Sequence, residues 1–358
     1  MALSSSRSVL ATVDKGDLSR SLDLDADRLP IERTLGMLWD CQTDTFIFKT
    51  STRTDIKTKR EVLQEISSIY DPMGFLVPVV MVAKVLMQDI WRSGIDWDDH
   101  LPPSLLSTWK AWASDLVSIS GLKIPRCFRK LSKPTDYELH VFTDASDIGF
   151  AACVYLRAQY GQETFSLNLI MAKARVSPLR QLSIPRLELQ GAVLGARLCA
   201  SVKKELGEIA TRIFYWCDSQ TVLQWIHSKT CKYHAFVAHR VTEISDTSTA
   251  IQWRHVPGEL NPADDGSRGI PALHLTSQHR WFRGPDFLLM PDSYWPAPIE
   301  IPEPSTEDPE VVPAKWVGSL RVREPHRIYT LVQESSDIIS LKRKVAWLFV
   351  SRTITLCP

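Results

Sequence analysis

The chain has 358 residues, of which 44% are hydrophobic and 23% charged, enough for about two to three ordinary domains. That apolar content excludes wholesale disorder and collagen-like or coiled-coil architectures. Forty-two Lys and Arg against 41 Asp and Glu leave a formal net charge of +1. A strongly basic nucleic-acid coat is thereby excluded, but an enzyme that concentrates charge locally is not.

Residues 1–30 are polar, rich in Ser and Asp, and read as a flexible segment. Residues 31–130 read as mainly helical after a short strand pair near Leu35–Thr50. Thr58-Lys59-Arg60-Glu61 opens a helical pattern carrying Val62, Ile66 and Ile69, closed by Asp71-Pro72 and Gly74. Pro78 suits a first helical turn, and Val82, Val85, Leu86, Ile90 and Trp91 follow on one face. A third helix is predicted from Pro103 to about Ile119, with Leu106, Trp109, Trp112 and Leu116.

The character changes over residues 136–275. Tyr137–Thr143, Gly149–Leu156 and Phe165–Ala174 read as strands. A long helix follows from Pro185 to about Leu206, then a strand at Arg212–Cys217, helices at Gln220–His227 and Phe236–Ile244, and a strand at Ile251–His255. The expected fold is α/β, a mixed five-stranded sheet flanked by helices. Residues 276–313 read as a connector running into a linker, because seven prolines fall within 291–313 and five carboxylates between Glu300 and Glu310. Residues 314–358 hold a basic amphipathic segment around Leu341–Val350.

The longest apolar run, Gly74–Ala83, is about half the length of a membrane span, and no secretory signal is evident, so no membrane partner is expected. The seven cysteines form no C-x-x-C pair, which predicts reduced thiols and an intracellular, non-secreted protein.

Four carboxylates stand at element ends. Asp144 closes the first strand of the 136–275 region, Glu188 lies in the first turn of the long helix, Asp218 closes the fourth strand, and Asp264 follows the last one. Any one of them is explained as a helix cap or a macrodipole partner. Four converging on one point would repel one another unless hard divalent cations, Mg²⁺ above all, bridged them. Two such ions about 4 Å apart suit phosphodiester cleavage.

Thr143-Asp144-Ala145-Ser146, Arg186-Leu187-Glu188-Leu189, Cys217-Asp218-Ser219-Gln220 and Asn261-Pro262-Ala263-Asp264-Asp265-Gly266-Ser267-Arg268 resemble the four motifs of retroelement ribonuclease H domains. Flanking blocks narrow the resemblance to BEL/Pao-type LTR retrotransposon polyproteins. These are Thr34–Trp39, Thr58–Leu63, Ser68–Leu76 with its Tyr-Asp-Pro-Met-Gly-Phe, Trp97-Asp98-Asp99 with Leu101-Pro102, and His255-Val256-Pro257-Gly258. The similarity spans about residues 32–295.

The resemblance implies that Asp144, Glu188, Asp218 and Asp264 are catalytic and hold two Mg²⁺ or Mn²⁺ ions, with Asp265 as the rival for the fourth place. It assigns His255 to proton transfer or product release, although a histidine that merely closes a strand is an equally good reading. Ser219, Gln220 and Asn261, with Ser146, fall at positions expected to contact nucleic acid. The substrate implied is an RNA–DNA hybrid, the partners are other parts of a polyprotein, and the location is a cytoplasmic virus-like particle or the nucleus.

Residues 31–130 correspond on this reading to a reverse transcriptase thumb or connection region. No paired-aspartate polymerase turn accompanies them, because Asp98-Asp99 lies in a polar loop between helices. Residues 314–358 would begin the approach to an integrase zinc module. Cys231, His234 and His239 lie close in sequence, but without a fourth ligand they make a poor zinc site. The family sometimes carries a peptidase label, yet neither Asp-Thr-Gly nor Asp-Ser-Gly occurs, so peptidase activity is rejected.

Two windows lack acids. Met171–Leu187 holds Lys173, Arg175, Arg180 and Arg186, and Trp225–Arg240 holds Lys229, Lys232, Arg240 and three histidines. Both are expected to line a groove for the hybrid beside the carboxylates, through phosphate and 2′-hydroxyl contacts. The alternative to a nuclease is a non-catalytic nucleic-acid-binding relic.

Overall fold

The structure, a computed structural model, describes residues 6, 12, 29, 31–34, 37–49, 53–127 and 133–313. The 314–358 segment with Leu341–Val350 lies outside the described residues, as does segment 1–30 apart from Ser6, Thr12 and Leu29.

Two sheets are present. Strands β1 (Ile31–Thr34), β2 (Met37–Asp40), β3 (Thr45–Ile47) and β4 (Lys123–Pro125) form a small antiparallel sheet in that order. The strand pair expected near Leu35–Thr50 is therefore extended by β1 on one side and β4 on the other, short strands with too little pattern to be read in advance. The main sheet contains β5 (Asp136–Ala145), β6 (Gly149–Tyr160), β7 (Thr164–Val176), β8 (Arg212–Cys217) and β9 (Trp253–His255), in the spatial order β7-β6-β5-β8-β9. The first three are antiparallel neighbours, whereas β8 runs parallel to β5 and β9 parallel to β8. This is the mixed five-stranded sheet expected from the sequence.

Strands β5 and β6 are buried along almost their whole length, so each face of the sheet needs a cover. One cover consists of α4 (Ile184–Leu206), α5 (Gln220–His227) and α6 (Ala235–Thr247), which pack Leu194, Leu198, Trp225 and Val237 against Val141, Ala152 and Val154. The other cover includes α1 (Lys59–Ser68), α2 (Val77–Arg92) and α3 (Pro103–Asp115) from the supposed polymerase remnant. Their Val62, Val79, Leu86 and Trp109 join Phe142, Cys153, Tyr155 and Trp216 in one continuous core. Segments 31–130 and 136–275, read as separate domains, thus share a core in the structure.

The Tyr-Asp-Pro-Met-Gly-Phe block makes that union. Asp71 accepts hydrogen bonds from the Phe75 and Leu76 amides at 2.9 and 2.7 Å, satisfying donors at the start of α2. Met73 accepts from the Ala172 amide at 2.8 Å, which stitches the turn to β7. Gly74 has φ +78°, and a Cβ there would lie 1.9 Å from the Ala172 carbonyl oxygen. Only glycine suits both the left-handed backbone and the close approach. Thr58 and Glu61 form a capping box at the start of α1.

The Pro- and Glu-rich stretch 291–313 departs from the linker expectation, because it packs. Trp295 is buried against His140, Phe214 and Trp216. The buried Arg157 donates to the Leu288 and Met290 carbonyls and to Glu138 at 2.6–2.7 Å. Burial alone would raise the Glu138 pKa, but bonding to His140 and Arg157 holds it down to about 2. Composition failed here because the few large side chains, not the many prolines, decide where the segment docks.

Gly74→Ala is expected to destabilise the fold by roughly 3 kcal/mol or more, from backbone strain and overlap with β7. Denaturant unfolding monitored by circular dichroism measures this, and a loss under about 1 kcal/mol would contradict the role given to the turn.

Candidate active site

The carboxylates gather at the end of β5. Strand pairing sets Thr143 of β5 beside Cys217 of β8, and Cys217 in turn beside His255 of β9, so Asp144 and Asp218 leave adjacent parallel strands together. Helix α4 passes close overhead: a Cβ on Gly191 would lie 2.9 Å from the Asp144 carbonyl oxygen, and one on Gly195 would overlap Thr143. These two glycines let α4 approach close enough to present Glu188. From the opposite face, α7 (Ala263–Arg268) brings in Asp264. Gly266 packs there against Ala151 and Trp281.

The electrostatics report a crowd of anions. Burial, then the charges of Asp218 and Asp264, push the Asp144 carboxyl up to about 7 despite an opposing hydrogen bond from Ser267. Burial likewise raises Asp218, with Asp264 adding to it and the Asn261 amide opposing. Glu188 is raised by burial and by Asp218, while the Ser219 hydroxyl, donating at 2.6 Å, pulls it down.

Asp264 and Asp265 are told apart by what they face. Asp265 is buried in a two-pronged pair with Arg280 at 2.7 and 2.8 Å. Asp264 is half-buried, pairs with Arg268, and is the one whose charge raises Asp144 and Asp218. Geometry therefore sets Asp264, rather than Asp265, with the other acids.

Several residues expected to touch nucleic acid are turned inward. Ser146 is buried and donates to the Ser267 carbonyl at 2.9 Å. Asn261 is fully buried, donating to the Thr143 carbonyl at 3.0 Å and accepting from the Ala263 amide at 3.1 Å. Ser219 is buried, caps α5 and bonds Glu188. Arg186 is paired with Glu310. Lys173, Arg175, Gln220, Lys229 and Lys232 are exposed. His255 is half-buried and lines a separate cavity of about 430 Å³ with His227, Lys229 and Arg254. No hydrogen bond or ion pair joins His255 to the four acids among the described residues.

The sequence reading missed Ser267, whose hydroxyl donates to Asp144. Its place one helical turn after Asp264 was the available signal. Cys231 and His234 belong to no ligand set, and Asp98 is taken up by Arg60 at 2.8 and 2.9 Å.

The donor set fits a hard divalent cation, since four carboxylates with raised or crowded charges lack any buried cation among them. The side chains are not drawn onto one point. Among the described residues no three His, Cys, Asp or Glu groups form a ready metal cage. Ser267, Ser219 and Arg268 hold three of the acids instead.

Residues 58–219 match the family described as the Pao retrotransposon-like RNaseH-like domain. That match, over a little under half of the chain, supports a Pao/BEL retrotransposon fragment with an RNase H-like domain. Its matched segment begins at the α1 cap and crosses from the helical cover into the sheet, in keeping with their shared core. No curated protein sequence matches the chain. Among solved structures, the N-terminal RNase H domain of rv2228c from Mycobacterium tuberculosis, as a fusion with maltose binding protein, aligns at 13% identity over 37% of this chain and 94% of that one, with a TM-score of 0.26. RNase H1 from Halobacterium salinarum aligns at 12% identity over 36% and 90%, with a TM-score of 0.25. At these scores the fold assignment of the Pao/BEL domain rests on its own strand order and on the family match. No described helix is long and apolar enough to cross a membrane.

The raised Asp144 pKa carries a sign. The folded state holds this proton more tightly than the unfolded chain, so ionised Asp144 costs stability, increasingly from pH 3.8 up to about 7 and fully above it. Asp144→Asn in EDTA is therefore expected to stabilise the protein by on the order of 2 kcal/mol at pH 8 and by nothing near pH 3.5. Thermal melts at the two pH values check this, and an equal effect at both would refute the repulsion.

Proposed function

We propose that the Pao/BEL domain cleaves the RNA strand of RNA–DNA hybrids as a divalent-metal-dependent endonuclease. The observation that carries this reading is the gathering of buried Asp144 with half-buried Asp218, Glu188 and Asp264 at one sheet end, where their charges oppose one another. Such a cluster costs stability and is explained by a cationic occupant.

Asp144, Glu188, Asp218 and Asp264 would hold two Mg²⁺ or Mn²⁺ ions, which when bound supply an activated water and stabilise the leaving oxygen. Asn261 fixes Asp218, and the Ser219 and Ser267 hydroxyls hold Glu188 and Asp144 until the site is loaded. The exposed Lys173, Arg175, Gln220, Lys229 and Lys232 are proposed to contact phosphates and 2′-hydroxyls of the hybrid. His255, at the end of β9 beside Cys217, is proposed to assist proton transfer, the role that the family resemblance implies.

Purified protein with Mg²⁺ or Mn²⁺ is expected to cut a labelled RNA–DNA hybrid in the RNA strand, with no cutting in EDTA. Asp144→Asn or Asp218→Asn is expected to lower the rate at least about 10³-fold, the scale of losing a principal electrostatic group. Well-folded wild type that binds the hybrid in EDTA yet never cuts it with either metal would favour the non-catalytic reading.

A further inference from the structure

The acidic stretch 300–312 lies across α5 and α6 as a strap. Glu303 accepts from the Ser228 and Thr230 hydroxyls at 2.5 and 3.2 Å. Asp308 accepts from the Trp225 indole at 2.7 Å. The backbone joins in, with the His234 amide donating to the Glu310 carbonyl at 2.9 Å and the Val312 amide to the Lys232 carbonyl at 2.7 Å. Acidic side chains thus take up donors across the acid-free window Trp225–Arg240.

The end of the strap is seated on Arg186, which shares the Phe236 ring with Arg240. Arg186 bonds Glu310 at 2.5 Å, and its guanidinium lies 4.8 Å from the Phe236 ring centre. Arg240 lies 3.6 Å from the same ring. Arg240 forms no ion pair among the described residues, and its buried Nε has no hydrogen-bond partner. Glu310 is 5% exposed, and its second carboxylate oxygen is buried without a partner. Burial, together with the Arg197 and Arg186 charges and against Glu243, disfavours the Arg240 cation. Glu310 therefore serves Arg186 through one oxygen and leaves Arg240 without an anionic partner, whereas a phosphodiester offers more acceptor oxygens and matches the planar fork of arginine.

We propose that Arg186 and Arg240, gathered on Phe236, form a phosphodiester-binding site near the N-terminal end of α4 that also carries Glu188, and that the 300–312 strap fills it through Glu310 until nucleic acid displaces it. The choice of nucleic acid as the ligand rests on the nuclease reading above. The strap is an internal competitor, so loosening it tightens substrate binding.

The test uses the full chain carrying Asp144→Asn, so that substrate survives, and a fluorescein-labelled RNA–DNA hybrid titrated at several salt concentrations. Adding Glu310→Gln is expected to lower Kd about three- to tenfold and to steepen the salt dependence by about one phosphate contact. Adding Arg186→Gln and Arg240→Gln to that protein is expected to cancel the gain. If Glu310→Gln melts early, Asp308→Ala, which removes the acceptor of the Trp225 indole, must tighten binding instead.

Unchanged or weaker binding by a well-folded strap variant overturns the proposal. So does a gain that survives loss of both arginines, or the absence of hybrid binding in every variant. The two readings fail separately. A wild type that never cleaves, with the gain intact, sinks the nuclease and leaves the anion site, whereas cleavage without a gain does the reverse.

Discussion

A sheet whose central strands are buried on both faces has to be covered twice, and the architecture follows from that requirement. Helices α4 to α6 supply one cover from within the 136–275 region, but the other comes from far upstream and downstream. Helices α1 to α3, then Trp281, Phe287 and Trp295, close over Phe142, Tyr155 and Trp216. Without them about half of the main sheet's apolar surface would meet water. The Asp71–Gly74 turn is where this second cover is fastened to β7, which gives the Tyr-Asp-Pro-Met-Gly-Phe block an architectural reason.

The same two-sided packing builds the carboxylate cluster. Asp144 and Asp218 come from adjacent parallel strands, Glu188 from one cover and Asp264 from the other. Burial and like charge then raise the proton affinity of Asp144, Asp218 and Glu188. A stable fold would ordinarily avoid this, because anions taken from water need partners. Here the partners of Asp144 and Glu188 are weak ones, serine hydroxyls, which the proposed cation would displace. Arg280 sequesters the neighbouring Asp265, which keeps a fifth charge out of the cluster.

Near-neutral overall charge hides a division of labour. The acid-free windows carry cations on the surface and around Phe236, while the strap returns carboxylates to the same region from about 70 residues later in the chain. Such a long return is cheap in loop entropy and needs only a few good anchors. Trp295 in the core and the Tyr233–Val311 bridge hold its two ends.

Much of this was legible in the sequence. Period and punctuation locate the five strands of the main sheet, the long helix at Glu188 and the helices at 59, 77 and 103. The four acids stand out because each sits at an element end. The sequence by itself therefore determined which residues form elements and which carry charge, since those follow from local propensity and periodicity. Only the tertiary structure decided what those charges face: Asp265 to Arg280, Asn261 and Ser146 to the interior, Arg186 to Glu310, and the supposed linker to the main sheet. Apart from Asp265 and Arg280, which are 15 residues apart, partners of that kind are chosen across 100 residues and more by a handful of buried contacts, for which no local pattern exists.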